Sequence, residues 1–345
     1  MLDQDRYWDC LDQAMQASSG GRVEEALAWL DEALRANPRG AEAHNGRGEI
    51  LWDNGRCDEA LREFGQALEA DPELHAANLN GIEIRIEEFH EYEEALDLGD
   101  DLLTSALEPG IEAEVYYLKA KAYFYLDDLD GALFLLRRAI QTDRDVPVYR
   151  SFEGQIQFEK GCYGEARACL DEALAMESDS AHTLYHLALV QEHAGDPEAA
   201  EALFAQAAEV APDHYPAPER CELAEFQRAA EDALRSLPAE VERYVSNCPV
   251  LIEDLPSLEL VRTENVSPQI LGLFCGTPAT EPGASPTWGT NASAAPDRIF
   301  LFKRNLEKVA QSRNELVEQI QITVKHEVGH YLGLDEDEID SLGLA

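Results

Sequence analysis

The 345-residue sequence has no apolar run approaching the roughly 18 residues that a membrane-spanning helix needs. Its opening stretch, MLDQDRYWDCLDQAM, carries neither the basic nor the apolar segment of a secretory leader. Seven cysteines, at positions 10, 57, 162, 169, 221, 248 and 275, are odd in number and include no C-x-x-C pair. That pattern argues against a disulfide framework and for reduced, mostly buried thiols. These absences point to the cytoplasm, where the N-x-[ST] sequons at Asn265 and Asn291 carry no meaning. Positive charge is also scarce: 27 Lys and Arg stand against 69 Asp and Glu, a formal net charge of −42. Such a field repels phosphate backbones and anionic headgroups over any distance that salt does not screen, which disfavours nucleic acid and membrane surfaces as partners.

What is present is enough for one large or two ordinary domains, with 45% hydrophobic residues to build cores. The charge is uneven. Residues 1–218 hold 47 acids and 16 bases, leaving 22 acids and 11 bases for residues 219–345.

The first region repeats itself. One frame recurs: an apolar helix, a Gly near its end, then D/E-x-A-x6-A and often a Pro five residues on, as in Gly48, Gly55, Ala60, Ala67 and Pro72. The leading alanines are Ala26, Ala60, Ala95, Ala132, Ala166 and Ala200, at spacings of 34, 35, 37, 34 and 34 residues. Partner alanines follow seven residues later at Ala33, Ala67, Ala139, Ala173 and Ala207, and Pro38, Pro72 and Pro212 stop the second helix of their repeats. Small residues at that period are what two closely crossing helices require, and the pattern resembles the tetratricopeptide repeat. About six copies cover residues 1–214. The third is the most irregular, with Leu102 at the second alanine position, and the longer spacings imply small insertions around Glu108–Gly110. The resemblance implies stacked helix pairs whose groove holds a protein or peptide partner. Net negative charge favours a basic or neutral one through the on-rate, and is equally what a solvated outer face carries. His182 and His186 sit four apart on the first helix of the sixth repeat, but no acid is placed beside them as base or ligand, so they read as a packing pair.

After Pro212, residues 215–218 form a short Pro-rich linker, and residues 219–345 change character. Residues 219–235 have helical period, with Leu223, Phe226, Ala230 and Leu234 on one face. Leu237–Glu240 begins another short helix, Pro238 suiting its first turn. Residues 249–252, 270–274 and 298–302 are short β-rich runs, and the 22 residues 276–297 between the last two are a loop of Gly, Pro, Ser, Thr and Ala.

A strong helix is expected after Gln311, with Leu316, Ile320, Val324 and Val328 as its core stripe. On a different face, about 160° away at 100° per residue, lie His326 and His330. Two imidazoles one turn apart can reach a single zinc ion, and the intervening Glu327 can reach a water on that ion, so the string His326-Glu-Val-Gly-His330 encodes two ligands and a general base. Gly333 follows where a positive φ would end the helix and turn the chain back. No other histidine lies beyond residue 214, so the third ligand must be a carboxylate or, less readily, Cys248 or Cys275. The acids Asp335 to Glu338 are the candidates. Glu336 occupies the position used by H-E-x-x-H-x-x-G-x-x-H proteases for their third ligand, with Asp335 as the alternative; the bland reading of this acidic run is a solvated tail.

From about Glu222 onward the chain resembles the small bacterial minimal-zincin metallopeptidases. The matching stretches are Leu237–Glu240, Ile252–Pro256, Gly272–Pro278, Pro296–Ile299, and the run from Leu316 through HEVGHYLGLDEDE to Leu342-Gly343. The resemblance implies a small α+β zincin-like domain, metal on His326 and His330, and Glu327 as base. The segment 277–295 is longer than the family usually has. The expected chemistry is zinc-dependent hydrolysis of a peptide bond, with the repeats recruiting substrate and strand Arg298–Phe302 pairing with an extended peptide through its edge. Tyr331 reads as a helix-end packing residue rather than an oxyanion donor. The rival function is a non-catalytic interaction scaffold with a structural or regulatory metal; hydrolysis of a non-peptide amide is a third.

Overall fold

A computed structural model describes residues 4–238, 241, 248–276, 297–335 and 338. It comprises two compact units, Met1–Ile156 and Gln157–Ala345, the boundary falling inside one helix.

The first unit is built of helix pairs: α1 (Gln4–Ser19) with α2 (Val23–Ala36), α3 (Ala41–Asp53) with α4 (Cys57–Ala70), α5 (His75–Ile84) with α6 (Tyr92–Leu102), and α7 (Pro109–Tyr125) with α8 (Leu129–Thr142). The periodic alanines are where the helices press together: Ala26, Ala33, Ala60, Ala67, Ala132 and Ala139 are all fully buried. Gly48 shows why size is limited there, since a Cβ at that position would stand 2.4 Å from the ring of Phe64. Helices α2 and α4 end two residues before Pro38 and Pro72.

The third pair departs from the frame. Helix α5 continues into a π-helical turn, Arg85–Phe89, closed by His90 at φ 55°. A π turn takes up one extra residue, which accounts for the 35-residue spacing from Ala60 to Ala95. The 37-residue spacing goes with α7, which has 17 residues where α3 has 13 and begins at Pro109; the connection 103–108 ahead of it is longer than 71–74, but α6 is shorter than α4 by more. Only the second insertion therefore lies near Glu108–Gly110; the first is upstream, inside a helix.

The second unit contains the end of α9 (Pro147–Glu159), then α10 (Tyr163–Met176), α11 (Ala181–His193) and α12 (Pro197–Val210), packed around Phe158, Leu170, Ala188 and Phe204. Helix α13 (Leu223–Arg235) buries Phe226, Ala229, Ala230 and Ala233, while Leu223, expected on the same face, is exposed. Strand β1 (Val250–Glu253), helix α14 (Leu258–Glu264), strands β2 (Gly272–Cys275) and β3 (Arg298–Phe302), and helices α15 (Lys303–Val309) and α16 (Arg313–Tyr331) complete it. The fold is an all-α repeat array followed by a small α+β domain. The short helix expected from Leu237 and the loop 277–295 fall mostly or wholly outside the described residues.

The sheet order is β1-β3-β2, with β1 parallel and β2 antiparallel to β3. This corrects the expectation that β3 offers an edge: both of its sides are paired. The reason is its composition. Ile299 to Phe302 are all buried, as suits a strand covered on both faces, whereas exposed and half-buried residues alternate along β1. Helices α13 and α16 pack with this sheet, where Phe226, Ala230, Ile299, Leu301, Leu306 and the stripe Leu316, Ile320, Val324 and Val328 form one core.

Within this unit the last repeats and the α+β part share buried charge. Glu192 of α11 accepts from Arg220 at 2.8 Å and from Lys308 of α15 at 2.6 Å. Glu307, fully buried, accepts from Arg220 at 3.0 Å, from Lys303 at 2.5 Å and from the Cys221 amide at 2.8 Å. Glu159, at the end of α9, accepts from the Ser267 hydroxyl and the Gln269 amide, both at 2.6 Å, and Asn305 donates to the carbonyls of Pro268 and Ile270 just ahead of β2.

Candidate functional site

Helix α16 begins at Ser312, whose hydroxyl accepts from the Glu315 amide. It ends in a Schellman turn: the Gly333 amide donates to the carbonyl of His330 and the Leu334 amide to that of Gly329, with Gly333 at φ 81°. The positive φ expected at Gly333 is present. The apolar stripe is buried throughout, so the helix has one rotational setting, and that setting fixes where the histidines point.

His326 and His330 meet. Their Nε2 atoms are 3.0 Å apart and their rings lie nearly perpendicular, 83° between planes. Two imidazole nitrogens bound to one tetrahedral zinc, each at about 2.0–2.1 Å, would be about 3.3 Å apart. The pair therefore fits a shared ion with a small adjustment. Glu327 is 6% exposed and lines, with His330, Gly333 and Asp335, a cleft of about 560 Å³ whose other wall is β2 from Gly272 to Phe274, with Gly276 beyond it. Strand β2 is an edge of the described sheet, so the edge beside the cleft belongs to β2 and not to β3.

The candidate third ligands divide. Glu336 lies outside the described residues. Asp335 lines the cleft, but one of its carboxylate oxygens accepts from the Glu338 amide at 2.9 Å while its own amide donates to the Glu338 carboxylate at 3.1 Å. This reciprocal pair is a capping box, a use of the acidic run that D-x-x-E spacing signals in the sequence. Cys248 is buried in the core, and burial, helped by Asp297, pushes its thiol up to about 11; Cys275 on β2 is raised by burial, with Glu264 adding to it. Neither thiol lines the cleft with His330 and Glu327. Among the described residues no three His, Cys, Asp or Glu side chains surround one point. Tyr331 packs edge-on against Phe274, 5.4 Å between ring centres, as a core residue.

The second histidine pair is built differently. His186 is buried, its Nδ1 lies 2.9 Å from the carbonyl of His182, and the two rings lean together at 4.2 Å beside Tyr185 and Tyr215. Burial, with His182 beside it, pushes His186 down to about 3.

Residues 245–344 match the family of zincin-like metallopeptidases, and residues 11–79, 113–146 and 153–215 match tetratricopeptide repeats. The chain joins tetratricopeptide repeats to a zincin-like metallopeptidase domain. The repeats also have structural counterparts. The type IV pilus biogenesis factor PilW is similar at a TM-score of 0.53 and 20% identity over 60% of this chain and 94% of that one. PilF of Pseudomonas aeruginosa is similar at 0.52 and 18% over 65% and 98%. The anaphase-promoting-complex assembly Cut9–Hcn1 is similar at 0.54 and 14% over 61% and 41%. At these identities the likeness is one of fold. No curated protein matches the chain in sequence. No helix among the described residues is long and apolar enough to cross a membrane.

Two features beside the zincin-like motif carried little sequence signal. Gly272 faces Glu327 across the cleft wall, and the Arg220, Lys308, Glu192 and Glu307 cluster ties this domain to the last repeat. Residues that meet only through the fold have no common spacing to read.

Proposed function

We propose that the zincin-like domain is a zinc-dependent peptidase acting in the cytoplasm on a protein or peptide substrate that the repeats recruit. The observation that carries this reading is the meeting of the Nε2 atoms of His326 and His330, with His330 and Glu327 lining one cleft. His326 and His330 hold the metal, with Glu336, or Asp335 in its place, as the third ligand. When bound, zinc acidifies a water towards a pKa of about 7 and polarises a carbonyl. Glu327 takes the proton of the attacking water and delivers it to the leaving amine, and its burial next to the β2 backbone keeps the carboxylate in one place while it does so. An extended substrate pairs with the outer edge of β2, which brings its backbone past Glu327. The net charge of −42 favours basic or neutral partners over nucleic acid and anionic membranes.

The test is zinc content and peptide-library cleavage for the wild type, Glu327→Ala and His326→Ala. Zinc in the wild type and in Glu327→Ala, its loss in His326→Ala, and cleavage by the wild type alone are expected. A wild type without zinc removes the metal reading, and equal cleavage by wild type and Glu327→Ala removes the enzyme. Glu336→Ala should lose most of its zinc affinity; if it keeps it, the assignment passes to Asp335.

A further inference from the structure

Strand β2 crosses α16 at Gly272, in the stretch of the helix that carries the motif. A Cβ added at Gly272 would stand 2.7 Å from Thr323 Cγ2, 2.9 Å from Glu327 Cγ and 2.9 Å from Glu327 Oε1. Neither neighbour has much room. Thr323 is β-branched, 6% exposed and one helical turn before Glu327, so its methyl cannot swing away without leaving its rotamer. Glu327 is equally buried. The backbone at Gly272 is not in the left-handed region, so its own conformation does not demand glycine. What demands it is the helix opposite.

We propose that Gly272 is a positioning residue for Glu327: the missing side chain on β2 is the seat in which the carboxylate of the general base rests. The inference extends the peptidase reading and rests on it for its consequence in turnover. Alanine at 272 forces the flexible partner to move, because Thr323 is stiff and Glu327 is not, and the carboxylate shifts toward the open cleft. The three atoms nearest an added Cβ belong to Thr323 and Glu327 and none to His326 or His330, so metal affinity is left intact.

Three measurements on the full chain test it. In Gly272→Ala, zinc affinity by chelator competition should stay within about twofold, while kcat for a cleaved peptide falls about ten- to a hundredfold with KM little changed, the loss typical of a misplaced catalytic group. Loss of zinc along with activity would overturn the proposal, because Gly272 would then serve helix packing as a whole. Adding Thr323→Ser to Gly272→Ala removes the nearest contact but leaves the one to Glu327, so activity should stay low; recovery would assign the seat to Thr323 instead. The third measurement needs no turnover. Hydrogen exchange across α16 should speed up on Gly272→Ala in the wild-type background and at least about threefold less in the Glu327→Ala background, since contacting residues couple. Equal effects in both backgrounds would overturn the positioning role. A wild type that cleaves no peptide while this coupling holds would sink the peptidase reading and keep the seat.

Discussion

Breaking the buried charge cluster by halves should cost far more than removing a whole pair from it. The Glu192 side chain is 2% exposed and that of Lys308 4%, with 2.6 Å between their charged atoms. Arg220 stands 2.8 Å from the other oxygen of the same carboxylate, and Arg304 is 3.8 Å from it. Glu192→Leu therefore leaves an ammonium buried beside two guanidinium groups. Burial already drags Lys308 down to about 8, although Glu192 pulls it back up. Stranding one partner of a buried pair costs about 3–5 kcal/mol, whereas replacing both by apolar groups of similar size is often neutral or favourable. Glu192→Leu should cost about that amount, Lys308→Met clearly less because Glu192 keeps Arg220 at 2.8 Å, and the double variant should lie within about 1 kcal/mol of the wild type, because Arg220 keeps Glu201 at 2.7 Å and Glu307 at 3.0 Å. Hydrogen exchange in α11 and α15 is the assay, since it reads this unit by itself. At a factor of ten per 1.4 kcal/mol Glu192→Leu should exchange there about a hundred to several thousand times faster. Glu192→Leu without effect, or a double variant as damaged as the two singles combined, would refute the account of Glu192 as the charge that makes burial of Lys308 tolerable.

Acid should destabilise the second unit before its carboxylates titrate. His193 is pushed down to about 4, by burial first and then by Lys308, and His186 down to about 3. Both sit near 6.5 when unfolded, so the unfolded chain binds the extra protons: stability is whole above pH 6.5 and falls as pH drops, by about 2 kcal/mol per histidine at pH 5. The urea midpoint should drop between pH 7 and pH 5, and His186→Leu should flatten that dependence; an unchanged slope would contradict it. In the first unit, Gly48→Ala forces a Cβ to within 2.4 Å of the Phe64 ring and should cost about 1–3 kcal/mol, read as faster exchange in α3 and α4. Ser312→Ala removes the N-cap of α16 and should cost about 1 kcal/mol, visible as fraying of the first turn with the His326–His330 end unaffected.

The sequence was most legible where the determinants are local and periodic. The alanines at 34-residue intervals occupy helix crossings, and Leu316, Ile320, Val324 and Val328 occupy the core, because a helix places its residues by the 3.6-residue turn alone. One inserted residue in the third repeat was detectable from spacing but could not be located, since a π turn and a longer loop shift the next alanine equally. The strands were found and their order was not. The clue lay in the run Arg298 to Phe302: four consecutive apolar residues belong to a strand covered on both faces, and such a strand sits inside a sheet.

Charge was least legible, because an acid's role depends on what faces it. Glu192 and Glu307 stand in sequence among solvated acids and could not be told from them; in the fold Glu192 meets Arg220 and Lys308, 28 and 116 positions away, and Glu307 meets Arg220, 87 positions away, besides Lys303 one helical turn before it. The acids after the motif divide the same way. Asp335 reaches the cleft but lends an oxygen to the cap it forms with Glu338, so a ligand role there competes with a local hydrogen bond. Glu327, by contrast, is held against a backbone with no side chain in the way. A general base needs a fixed carboxylate with one open side; in the peptidase proposed for this domain the crossing of β2 over α16 supplies the fixed side.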